Sequence, residues 1–170
     1  MSKDDELFER LAKKHPDLIK KARQQYLGVG EGWFHIIDAL CGRMSYDVNQ
    51  ARYQLKYAME NQGGKYAKSI PDAETALAAA IDALPVIDQI KEKFGGLRFY
   101  ITGGDVATGH YIEFAEAMAT RTCEVCGSPG EPRNTGWVKT LCDKHHREKE
   151  AEDERRFPSK KKTEPKLSDE

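Results

Sequence analysis

Residues 123–146 read CEVCGSPGEPRNTGWVKTLCDKHH, and the spacing within them decides how the C-terminal part of the chain folds. Two residues separate Cys123 from Cys126, fifteen separate Cys126 from Cys142, and His145 follows Cys142 at the x-x spacing again. Three thiolates and one imidazole in this order match the closed tetrahedral shell of a structural zinc ion, one per chain. A redox-active Cys-x-x-Cys pair is the alternative, but it leaves Cys142 and His145 without a role. His146 is also within reach of the cluster, so spacing alone leaves the fourth ligand open between the two histidines, with His145 the better placed.

The residues between the ligands fit that reading. Gly127 allows a tight turn after the second cysteine, so that backbone amides can approach the thiolates. Pro129-Gly130 marks a second turn. The stretch from Gly136 to Leu141 alternates well enough for a short strand. From Cys142 onward the composition is charged and helical, and ligands at i and i+3 on a first helical turn face the same way. Knuckle, hairpin and ligand-bearing helix together resemble a treble-clef zinc finger. Nucleases of the HNH type share that scaffold but need a histidine on the hairpin strand. Here the hairpin offers Arg133, Asn134, Thr135 and Trp137, so a nuclease is disfavoured. Four ligands with three thiolates leave the ion little Lewis acidity, and the expectation is a protein that is not an enzyme.

Upstream, residues 1–122 must carry the main core. Leu7, Phe8 and Leu11 lie at helical spacing, and Pro16 opens a second helix running through Leu18, Ile19 and Ala22 to Tyr26, broken by Gly28-Val-Gly30. Trp33, Phe34, Ile36, Ile37, Leu40, Cys41 and Met44 form a core helix stripe, with Cys41 as a small buried hydrophobe and His35 off the stripe. Residues 45–62 form a polar helix anchored by Val48, Tyr53, Leu55 and Met59. Another helix starts at Ser69 and stops before Pro85. The period then changes to two: Leu97, Phe99 and Ile101 share one face of a strand, and Arg98, Tyr100 and Thr102 share the other. This predicts a β-hairpin near 86–102, turning at Gly95-Gly96. A last body helix spans about His110 to Thr120, with Tyr111, Phe114, Ala115 and Met118 facing inward and Glu113 and Glu116 facing solvent. The fold class is therefore α+β, in three parts. These are a helical body with a hairpin (1–122), a zinc module with an extended helix (123–156), and a disordered, charged tail (157–170).

The 170 residues carry 27 Lys+Arg against 28 Asp+Glu, and the body, finger and tail are each balanced to within one charge. That excludes the simple argument for a nucleic-acid binder, which needs a strong basic excess. No apolar run approaches the roughly 20 residues needed to span a bilayer, and the polar start lacks a signal-peptide core. A cytoplasmic protein is expected. Lys91, Lys93, Arg98 and Tyr100 could form a basic-aromatic face on the hairpin, or the cations could simply blunt a sheet edge. Arg133, Lys139 and Lys144 on the finger are further candidates for phosphate or partner contacts.

The ordered segments GWFHIIDAL (32–40), VIDQIKEKFGGLRFYI (86–101) and the 123–146 stretch resemble a group of small uncharacterised proteins found in bacteriophages and bacterial genomes. Relative to that layout the chain carries a long insertion at about 43–84 and a charged tail. The resemblance implies a phage or prophage origin, hence the host cytoplasm, and a zinc site at Cys123, Cys126, Cys142 and His145. It implies no activity. Balanced charge and phage context together favour an interaction protein that binds and modulates a host or phage protein, with anti-defence or host takeover the most concrete form. A nucleic-acid-binding accessory protein is the alternative. A nucleotide-binding protein is less favoured, since Lys91, Arg98, Tyr100 and Asp105 form no recognisable mechanism.

Overall fold

The computed structural model describes residues 3–157 apart from positions 63 and 66. The tail expected to be disordered lies outside them except for Phe157. The chain is mixed helix and sheet, with two small antiparallel hairpins and a C-terminal Cys/His cluster. Among the described residues no helix is long and apolar enough to cross a membrane.

Helices α1 (Lys3–Lys14) and α2 (Pro16–Lys20) open the fold. The second is shorter than expected, ending at Lys20 and not near Tyr26. Two demands outside the helix explain the early stop. The Lys21 ammonium donates to the carbonyls of Ile81, Asp82 and Leu84, satisfying acceptors that the end of a neighbouring helix leaves open. The next residues then extend along the strand Val86–Lys93. Arg23 N–H donates to Ile87 O, Gly28 N–H to Ile90 O, and Glu92 N–H returns to Gly28 O. Gly28 to Gly32 thus forms a strap beside this strand, leading through a 3₁₀ turn (Glu31–Trp33) into α3 (Phe34–Met44).

Helix α3 is the core helix its stripe predicts: Phe34, Ile37, Leu40 and Cys41 are buried and His35 is exposed. Burial first, then the Asp38 charge, push the Cys41 thiol well above its usual range, as befits an inert packing residue. Helix α4 (Tyr46–Glu60) buries Val48 and Ala58, whereas Tyr53 and Met59 are exposed. Periodicity picked residues of a common type, but the helix is covered on a narrower face than their spread requires. Helix α5 (Ile70–Asp82) begins as expected, with Ser69 Oγ accepting from Asp72 N–H.

Strands β1 (Val86–Lys93) and β2 (Gly96–Thr102) pair antiparallel with a bulge between Ile87 and Gln89. Ile87, Ile90, Leu97 and Phe99 line the core with Leu7, Leu11, Leu18, Leu27 and Trp33. The turn falls on Phe94-Gly95, one residue earlier than expected. Both have positive φ, 54° and 73°, the two-residue geometry whose twist matches the strands.

Helix α6 (Val106–Ala119) starts four residues before the expected position because Asp105 and Thr108 form a reciprocal capping box. Its inward face is also different. Ala115 and Ala119 are buried, Phe114 is 69 % and Met118 41 % exposed, and Glu116 turns toward the sheet, where its Oε1 accepts the Phe99 N–H. Small alanines let the helix approach the β2 edge, and Glu116 satisfies an edge donor that would otherwise face solvent. The larger apolar residues are thereby left outside.

Candidate metal centre

Beyond α6 the chain makes a knuckle and then a second hairpin, β3 (Glu131–Thr135) with β4 (Trp137–Leu141), followed by α7 (Asp143–Arg156). The knuckle closes through Gly127 N–H to Cys123 O and Cys123 N–H to Ser128 O, at 2.9 and 2.7 Å. Gly127 takes φ 75°, a left-handed conformation that glycine adopts without strain. Cys142 is the N-cap of α7, and His146 N–H donates back to its carbonyl.

One ligand atom from each of Cys123, Cys126, Cys142 and His145 lies within 4.8 Å of the other three. The Cys126 and Cys142 sulfurs are 3.9 Å apart, and His145 Nδ1 lies 3.4 and 3.3 Å from the sulfurs of Cys123 and Cys142. A tetrahedral ion with bonds of about 2.3 Å to sulfur and 2.0 Å to nitrogen spaces its sulfurs by about 3.8 Å, and sulfur from nitrogen by about 3.5 Å. The four residues fit a metal ion held in a closed shell. His146 is outside this set, with Nε2 turned to Glu150 at 3.6 Å. The outer nitrogen of His145, Nε2, faces Glu148 at 3.7 Å, the kind of carboxylate support that orients a ligating imidazole.

The sulfurs occupy unlike surroundings. Burial pushes the Cys123 thiol up, opposed by hydrogen bonds from the backbone N–H groups of Cys142, Cys126 and Val125. Cys126 is exposed, and hydrogen bonds from the Ser128 hydroxyl and then the Ser128 N–H bring its thiol down to about 6. N–H and O–H donors aimed at sulfur stabilise thiolate, the form that binds metal.

The knuckle is locked to the body by residues that sequence reasoning missed. Gly32 N–H donates to Glu124 O at 2.9 Å. A Cβ at Gly32 would lie 2.1 Å from Cys123 O, and one at Gly30 would lie 2.0 Å from Glu124 O. Gly28-Val-Gly30, whose sequence reads as a helix break, and Gly32, which reads as the start of the next helix, are where backbone meets backbone. Trp33, fully buried, donates from Nε1 to Thr122 O at 2.7 Å. Buried Thr140 of β4 donates its hydroxyl to Gly95 O at 2.6 Å, tying the second hairpin to the turn of the first.

The finger cations are engaged inside the protein. Arg133 bridges Glu131 at 2.9 Å and Asp143 at 2.5 Å. Lys139 pairs with Glu124, a carboxylate only 5 % exposed. Lys144 lies 3.9 Å from Glu148. Lys91, Lys93, Arg98 and Tyr100 do share one face of the β1–β2 hairpin. In the hairpin set Arg98 is paired with Glu116 at 3.7 Å, and the four residues line a common surface.

Another surface went unrecognised in the sequence. Between α3 and α6 runs a groove of about 460 Å³, lined by Ile36, Ala39, Leu40, Phe114, Ala115 and Met118, with Arg43 and Tyr111 at its edge. The Arg43 guanidinium lies 4.9 Å from the Tyr46 ring and 4.8 Å from the Tyr111 ring, and donates to Tyr111 Oη. Its sequence signals are Ile36 on the α3 stripe and the Phe114–Met118 spacing, both of which the periodicity assigns to the core. Comparison with family models, curated proteins and solved structures finds no match to this chain, so function must be argued from the surfaces themselves.

Proposed function

We propose that the chain is a non-enzymatic interaction protein, stabilised by one structural zinc ion, that docks a protein partner in the α3–α6 groove. The groove is the observation that carries this reading. It sets Phe114 and Met118 in solvent beside Ile36 and Leu40, and an exposed apolar surface rimmed by polar groups is the usual mark of a binding site. Arg43, held between two tyrosine rings, uses one of its five N–H donors on Tyr111. The partner that fits presents a row of apolar side chains followed by a carboxylate, as an amphipathic helix does. Zinc is the ion of choice for a closed set of three thiolates and one imidazole, and its role is to hold the module against the body. The treble-clef likeness and the resemblance to phage proteins extend the proposal: the partner is a host or phage protein, and inhibition of a defence component is its most concrete form.

The test is affinity capture from phage-infected bacteria, with nuclease present, comparing the unmodified chain with Phe114→Glu. One bacterial or phage protein should be recovered at high salt with the first and lost with the second. Equal recovery with both, or recovery only when nucleic acid is intact, would sink the groove reading.

A further inference from the structure

The β1–β2 hairpin turns one face to the core and the other outward. On the outward face Lys91 is opposite Arg98, Gln89 is opposite Tyr100, and Lys93 is opposite Gly96. Three cations thus lie on adjacent rungs. The hairpin's own acids do not answer them: Glu92 is on the other face, accepting from Gly95 N–H, and Asp88 is held by Arg23 and the Thr102 hydroxyl. The carboxylate that does reach the face comes from α6, with Glu116 Oε2 3.7 Å from Arg98.

Two rings stand among these cations. Tyr100 is 43 % exposed with Lys91 Nζ 5.3 Å from its centroid, and Phe94 is 67 % exposed with Lys93 Nζ 5.4 Å away. Phe94 is the telling residue. It occupies the first turn position at φ 54°, where glycine or asparagine is favoured and a bulky side chain is strained. Burial does not explain it, since most of the ring is in solvent. A costly backbone conformation that presents an aromatic ring to solvent beside a lysine points to a ligand with flat faces and negative charge.

We propose that the outward face of the β1–β2 hairpin binds single-stranded nucleic acid, with bases stacked on Tyr100 and Phe94 and phosphates on Lys91, Lys93 and Arg98. Alternating rings and cations are what a single strand uses, because its unpaired bases offer their faces. A duplex keeps those faces stacked, and an acidic peptide has no use for the rings. The site is separate from the apolar groove and does not depend on it.

Fluorescence anisotropy on the zinc-loaded chain tests this, using twelve-residue oligo-dT and oligo-U, a duplex of equal length and a polyglutamate peptide. Single strands should bind best. Three phosphate contacts predict about a twentyfold loss of affinity between 50 and 200 mM salt. Phe94→Asn should relieve the turn, leaving denaturant stability equal or higher, yet weaken oligonucleotide binding about 5- to 160-fold. Glu116→Gln keeps an acceptor for Phe99 N–H while releasing Arg98, so binding should tighten by about two- to fivefold. A misfolded variant cannot produce that gain. Absence of binding at 50 mM salt, a preference for duplex or polyglutamate, or unchanged affinity in Phe94→Asn would overturn the proposal. Phe114→Glu should leave oligonucleotide affinity unaltered, which keeps this outcome distinct from that of the groove.

Discussion

Replacing Gly32 by alanine sets a methyl group 2.1 Å from Cys123 O, 2.5 Å from Gly127 N and 2.8 Å from Cys126 N. All three are backbone atoms of the knuckle, so no flexible side chain can swing aside. Ordinary contact needs more than 3 Å, and the strap must back away by about an ångström. Overpacking of that kind costs about 1–3 kcal/mol, and losing the bond from Gly32 N–H to Glu124 O costs about 0.5–1.5 kcal/mol more. The expected destabilisation is about 2–4 kcal/mol, a large share of the 5–15 kcal/mol typical of a domain. Because the displaced atoms belong to the ligand loop, metal affinity should fall too, by up to about 30- to 900-fold if the whole penalty is felt there. Gly109→Ala is the matching control. It lies in α6, a Cβ there meets nothing within 4 Å, and removing a helical glycine should stabilise by about 0.5–1 kcal/mol. Urea unfolding of both variants, with zinc competition against a chromophoric chelator, measures both quantities. If Gly32→Ala unfolds at the wild-type midpoint, the strap does not pack on the knuckle and the account of how body and module join is wrong.

Elemental analysis should find one zinc per chain, retained in His146→Ala and lost or strongly weakened in His145→Ala, since only His145 turns a nitrogen to the sulfurs; retention in both would reopen the choice of ligand. Phe114→Ser should change the unfolding free energy from urea titration by no more than about 0.5 kcal/mol, as expected of an exposed residue, and a larger loss would place Phe114 in the core after all. Burial works against the Asp38 charge, but hydrogen bonds from Lys14 and His15 and their charges outweigh it and hold its pKa below the usual carboxylate value. A depressed carboxylate stabilises the fold above its unfolded pKa and loses that contribution as pH falls through the folded one. The stability gap between wild type and Asp38→Asn should thus shrink as pH falls below about 4; a gap that widens there would contradict the pairing.

The Cys/His cluster was legible in the sequence because ligand spacing is a local demand. A knuckle and a first helical turn fix the spacings of Cys123, Cys126, Cys142 and His145 whatever the rest of the chain does. The alternation of Leu97, Phe99 and Ile101 was legible for the same reason, since a strand's two faces are set by its own period. What could not be read was which helix face another element covers. In α6 the stripe of Phe114 and Met118 has correct helical spacing, yet β2 takes the alanine side, where the backbones come closer. In α4, Tyr53 and Met59 were misplaced the same way. The role of the glycines is hidden because their partners, β1 for Gly28 and the knuckle for Gly30 and Gly32, are remote in sequence. The choice between His145 and His146 needed the direction in which α7 leaves Cys142, which spacing does not contain.

The strap has a consequence for the order of assembly. Trp33 and its acceptor at Thr122 are 89 residues apart. At 5–20 residues per second, translation of that interval takes about 4–18 s. During that time the Trp33 indole N–H, Gly30 and Gly32 await a surface that has not yet been made. The metal loop, by contrast, spans few residues and can close soon after its last ligand emerges. Docking of the strap on the knuckle is thus a late event, possible only after Thr122 and Glu124 have been made. A nascent chain stalled before Thr122 should lack the bond from Trp33 Nε1 to Thr122 O, read as a shifted indole N–H signal, and one extended past Glu124 should gain it.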